Sequence, residues 1–145
     1  MAARSSRDPR VLEVEIPSDV QYIERVVELV RGECQRMAFA ERHVKLNVPV
    51  ALTEALSNAI LRGNRDNPEK HVHVRATVDA ERLVVEVSDE GSGFDIDRCT
   101  VDPTAPDNVE REDGRGLFLM RQLMDRVEQL DVAEGSVIRM TLRRA

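Results

Sequence analysis

LTEALSNAILRGN, residues 52–64, sets Glu54 and Asn58 four positions apart inside an apolar repeat. Val50, Leu52, Leu56, Ala59 and Ile60 recur at helical spacing, so an amphipathic helix is expected after Pro49. At ~3.6 residues per turn, Glu54 and Asn58 share one side of that helix, a turn apart. A carboxylate and a carboxamide stacked this way can hold a hydrated hard cation, or orient a hydroxyl, between helix and ligand. Glu and Asn are also common on solvated surfaces. The pair therefore takes its meaning from the segments around it.

Working outward toward the amino terminus, Ile23, Val26, Val27, Val30, Cys34 and Met37 form a long apolar stripe that reads as a core-facing helix. Ser18 or Asp19 can cap it, and Pro17 ends the strand before it. That strand, Val11–Ile16, alternates apolar and acidic residues. Residues 1–10 are small, charged and Pro-containing, a frayed tail before one domain expected over 11–145.

Toward the carboxyl terminus, Gly63 and the polar stretch to Pro68 turn the chain. Two alternating runs follow, with Val72, Val74, Ala76 and Val78 on one face and Leu83, Val85 and Val87 on one face of the next. The short Asp79-Ala80-Glu81 link makes them an antiparallel hairpin. His71, His73, Arg75 and Glu86 fall on the opposite, wet face. The alternation carries on to Asp89, which points with Val87 toward the helices and there needs a donor partner. Gly91 and Gly93 allow a sharp turn and a close approach by another group. Residues 95–113 show no periodicity and read as a lid or binding loop, a disordered insertion being the alternative.

Gly114-Arg115-Gly116 then opens an apolar helix carrying Leu117, Met120, Leu123 and Met124. Free backbone N–H groups at such a start form a seat for an anion. The chain closes with a second hairpin, Arg126–Asp131 and Ser136–Arg143, around Glu134-Gly135. Ser136, Ile138, Met140 and Leu142 share one face of its last strand.

Composition narrows the function classes. The net charge of −6 argues against nucleic acid or an anionic membrane as the main partner. Trp is absent and aromatics make up 3%, which leaves little for a base-stacking platform. With no apolar run of membrane-spanning length and no hydrophobic leader at the amino terminus, a soluble cytoplasmic protein is expected. Cys34 and Cys99 are too few and too distant for a disulfide framework or a zinc site. His71 and His73 would share a strand face, which leaves a metal there open.

The order Glu-x-x-x-Asn helix, Asp-x-Gly-x-Gly strand end, lid and Gly-x-Gly helix start resembles the nucleotide site of the GHKL (Bergerat-fold) ATPase/kinase superfamily. Walker-type and eukaryotic protein-kinase motifs are absent. The resemblance covers about residues 45–142. It implies an α+β, two-layer sandwich: a mixed, mostly antiparallel sheet with helices on one face. It also implies ATP and Mg2+. Asn58 would be the Mg2+ ligand at the phosphates and Glu54 the general base. Asp89 would accept a hydrogen bond from the adenine amino group, with Gly91 and Gly93 letting base and ribose lie on the backbone. Gly114, Arg115 and Gly116 would close over the phosphates. Ser136 stands where the family commonly has a Thr beside the adenine-binding Asp, keeping the hydroxyl for a water-bridged contact. Arg62 stands where relatives often have His.

Fewer than fifty residues precede the Glu54 helix, with no dimerising helical pair for a phosphoacceptor His. A strand and a long helix leading into LTEALSNA, residues 52–59, and then GRGLFLM, residues 114–120, are similar to the stand-alone anti-sigma factor serine kinases of the RsbW and SpoIIAB type. That likeness implies a homodimer that binds an RNA polymerase sigma factor and phosphorylates a STAS-domain anti-sigma factor antagonist. Two alternatives stay open: a non-catalytic ATP-binding module that sequesters its partner, and a detached histidine-kinase ATPase domain acting on another protein's His.

Overall fold

The computed structural model describes residues 9–65, 67–90, 116–132 and 135–145. Five strands form one sheet: β1 (Arg10–Pro17), β2 (His71–Val78), β3 (Arg82–Asp89), β4 (Arg126–Val132) and β5 (Gly135–Arg143), in the order β1-β2-β3-β5-β4. The resemblance implies a mixed sheet, but every pairing among the described strands is antiparallel. The strand alternation carries through as read. Val72, Val74, Ala76, Val78, Leu83, Val85, Val87, Ile138, Met140 and Leu142 are all buried on one face. His71, His73, Arg75, Glu86 and Arg139 occupy the other, where Arg139 pairs with Glu86 at 2.8 Å.

Helices cover the apolar face. In α1 (Ile23–Arg36) Val26, Val27, Val30 and Cys34 face the core, as the stripe requires. Burial among apolar neighbours pushes the Cys34 thiol up to about 12, with the Glu33 charge adding to it, so this is an inert packing residue. Asp19, not Ser18, receives the Gln21 N–H at the start of the preceding turn. Ser18 is buried and donates its hydroxyl to the Lys70 carbonyl at 2.7 Å.

The helix bearing Glu54 departs from expectation at its start. Helical structure begins at 41 rather than after Pro49, and α2 (Val48–Asn58) is flanked by wide π-type turns, His43–Asn47 and Ala59–Gly63. Proline has no N–H to continue an ordinary ladder. The chain absorbs this one residue earlier, where the Val48 N–H reaches back five residues to the His43 carbonyl. The Val44 carbonyl that this leaves over is taken by Arg31 Nε from α1 at 2.9 Å. A third helix, α3, runs over 116–123, and the Asn47 carboxamide donates to its Leu123 carbonyl at 2.6 Å. Among the described residues no helix is long and apolar enough to cross a membrane.

Candidate functional site

Glu54 and Asn58 are half-buried on α2, one turn apart, and the start of α3 lies against both. A Cβ built on Gly116 would stand 3.3 Å from Glu54 Oε1 and 3.3 Å from Asn58 Nδ2. A side chain there would crowd both functional groups, so glycine is what lets the helix start approach. Residues remote in sequence, 54, 58 and 116, thus meet.

Asp89 ends β3 and points to the helix side, as the alternation requires. It borders a cavity of about 200 Å³ lined also by Ala55, Asn58, Ala59, Arg62, Leu117 and Ile138. The Ser136 hydroxyl donates to Asp89 Oδ2 at 2.9 Å and its N–H to Oδ1 at 3.2 Å. Ala55, Ala59, Leu117 and Ile138 give this mostly polar cavity apolar patches that suit a flat ring, and the Asp89 carboxylate suits an amino group on its edge. Glu54 lies outside this cavity, beyond Asn58, at the α3 end. Gly91, Gly93, Gly114 and Arg115, the lid over 95–113, and Cys99 fall outside the described residues.

Two glycines matter more than their sequence context suggested. Gly63 reads as a chain turn, yet a Cβ on it would stand 2.7 Å from Asp89 Cβ and closer still to the Asp89 carboxyl. Gly135, at φ +141°, takes a backbone conformation that other residues avoid, and a Cβ there would stand 2.6 Å from Asp89 Oδ1. Both clear the space the carboxylate occupies. Gln129 also faces the cavity. It lies two residues on from core-packed Val127, so a polar residue at an inward position was a signal available in the sequence.

Among the described residues no group of three or more His, Cys, Asp and Glu side chains, His71 and His73 included, is placed to hold a metal ion. His73 Nε2 instead meets Glu90 Oε2 at 2.7 Å, and the His71 N–H donates to Glu90 Oε1 at 3.0 Å. Those two hydrogen bonds, the His73 contact first, hold the Glu90 carboxyl below its ordinary range.

Comparison with known proteins places this geometry. Residues 16–142 match the family described as the histidine kinase-like ATPase domain. The "Serine-protein kinase RsbW" of Bacillus velezensis is 33% identical over 122 residues, spanning 81% of this chain and 76% of that protein. The protein of the same name from Bacillus subtilis is 31% identical over 121 residues, 80% and 75% of the two chains. In fold, the chain superposes with a TM-score of 0.67 on a crystal structure of the RsbU and RsbW domains of Rv1364c from Mycobacterium tuberculosis. That match has 15% identity and covers 92% of this chain but 32% of the longer one.

Proposed function

Since the chain belongs to the histidine kinase-like ATPase domain family, we propose that it is an ATP-dependent protein serine/threonine kinase acting as an anti-sigma regulatory factor. Its target would be a Ser or Thr of a STAS-domain antagonist, and the partner it holds in check an RNA polymerase sigma factor. The supporting observation is the meeting of Glu54 and Asn58 at the start of α3, at the far side of a cavity that ends in Asp89. A module that only bound nucleotide would have no use for a carboxylate at Glu54.

In this reading Asp89, steadied by Ser136, receives the adenine amino group. Asn58 sits where the phosphates leave the cavity. The Gly116 backbone would offer its N–H to their negative oxygens, and Gly91, Gly93, Gly114 and Arg115 are assigned to the same nucleotide by the motif they belong to. The side-chain oxygen of Asn58 is a hard donor of the kind Mg2+ takes, and Asn58 would be the ion's ligand here. The ion would supply charge neutralisation at the phosphates. Glu54 takes the proton of the incoming hydroxyl, which is the step this chain's own residues contribute to the chemistry.

The test is transfer of label from γ-labelled ATP to a STAS-domain protein, with acid-stable phosphate on the product. Glu54→Ala is expected to lower transfer by about 10²–10⁴-fold while nucleotide still binds. Undiminished transfer by that variant would remove Glu54 from its role. Nucleotide binding with no transfer by the native protein would favour the sequestering module. Acid-labile phosphate would point to histidine as the acceptor.

A further inference from the structure

The register of β2 and β3 pairs Val72 with Asp89, so His71 and Glu90 would form the next rung. That rung is not closed by backbone. The Glu90 N–H donates to Asn64 Oδ1 at 2.8 Å, and Asn64 Nδ2 donates to the His71 carbonyl at 2.8 Å. The two remaining groups are met from the side: the His71 N–H by Glu90 Oε1 at 3.0 Å and the Glu90 carbonyl by Lys70 Nζ at 3.0 Å. All four backbone groups are satisfied, yet the strands are held apart by one carboxamide acting as an inserted peptide unit. The amide orientation is fixed, because its nitrogen faces the His71 carbonyl and the Ser18 hydroxyl while its oxygen faces an N–H.

Asn64 is 2% exposed and follows Gly63, on which the Asp89 carboxylate rests. Its own N–H closes the wide turn after α2 by bonding the Ala59 carbonyl at 2.9 Å. The carboxamide is therefore rigidly joined to the helix that carries Asn58. We infer that Asn64 is a positioning residue: by opening the rung after Asp89 it fixes where β3 stops and holds that carboxylate at its distance from α2. This rests on Asp89 being the nucleotide-reading residue, as proposed above.

Without the carboxamide, His71 and Glu90 can pair directly. β3 then extends by a residue and draws Asp89 off Gly63. Titration with a fluorescent ATP analogue, paired with the kinase assay, reads this out. Asn64→Ala is expected to weaken nucleotide binding and raise the KM for ATP by about tenfold, because the carboxylate that reads the ring leaves its place. The kcat at saturating ATP should stay within about twofold, because Glu54 and Asn58 are untouched. Val30→Ala, on the core face of α1, is the control: it should lower Tm with nucleotide affinity unchanged. Unchanged affinity in Asn64→Ala, or a kcat that falls while KM holds, overturns the inference. Asp89→Asn separates the two readings, since unaltered nucleotide affinity there defeats the site assignment itself. Should Asn64→Ala fail to fold, amide exchange in the native protein decides. The Glu90 N–H must be protected, and exchange at the rate of an open strand end refutes the clamp.

Discussion

Asp89 borders the cavity and Glu54 lies just outside it, beyond Asn58, and the two carboxylates are built into the structure in opposite ways. Asp89 accepts two hydrogen bonds from Ser136 and lies flush against Gly63 and Gly135. Glu54 has no hydrogen-bond or ion-pair partner among the described residues. One carboxylate is fixed before any ligand arrives, and the other keeps its capacity open. That division suits a site that must recognise a rigid ring at one end and handle a moving proton at the other. Recognition gains from atoms already in place, because less ordering is left to binding. A base must leave a lone pair free for its substrate.

The sharpest way to break the contrast is to disturb the fixed end alone. Gly63→Ala should weaken nucleotide binding by about 10–100-fold, as ~1–3 kcal/mol of overpacking against Asp89 implies. The only positive-φ glycine among the described residues is Gly135, so alanine at 63 meets no backbone penalty and the loss must come from the collision. Calorimetric titration with ATP measures it, and affinity within twofold of native would show that Asp89 is not held by packing.

Ser136→Ala is a gentler probe. It removes the hydroxyl at Oδ2 and keeps the backbone donor at Oδ1. A single hydrogen bond to a charged group, partly screened by solvent, predicts a loss of about 1 kcal/mol, or some fivefold in nucleotide affinity. If the fixed end works as a unit, combining it with Gly63→Ala will give less than the sum of the two losses.

The smallest expected effect lies just beyond the cleft. The Glu90 carboxyl titrates below its ordinary value of 4.5, chiefly through its hydrogen bond with His73 and then through the His71 N–H. A carboxyl with a lowered native pKa contributes stability at pH above about 4.5, and loses it as pH falls through the native value. Glu90→Gln should therefore unfold slightly more easily at neutral pH and converge with the native protein in acid. With the Glu90 side chain 40% exposed, screening holds the difference to at most about 0.5 kcal/mol. Denaturant midpoints measured at pH 7 and pH 3 test the convergence.

Much of this architecture was legible in one dimension. Period-two alternation assigned Val72–Val78 and Leu83–Val87 to the packed face and carried Asp89 onto the same side. The Glu54–Asn58 spacing placed both groups on one side of α2. Pro49 does stand in the first turn of α2, but the helical residues from 41 that lead into it through a wide turn leave no mark in the apolar pattern. Gly63 and Asn64 do turn the chain, but Gly and Asn between periodic segments are the ordinary vocabulary of turns, so their contacts with Asp89 and Glu90 left no mark. What sets these two apart is the strand end they touch, some 25 residues further along the chain.

The sequence by itself determined which side of each element is apolar and which polar groups share a face, because those follow from the local geometry of helix and strand. Only the tertiary structure decided that a glycine at 63 makes room for a carboxylate at 89, and that a carboxamide at 64 stands in for a missing rung between 71 and 90. Distances between elements depend on how whole faces pack, and no periodicity within a single element encodes them.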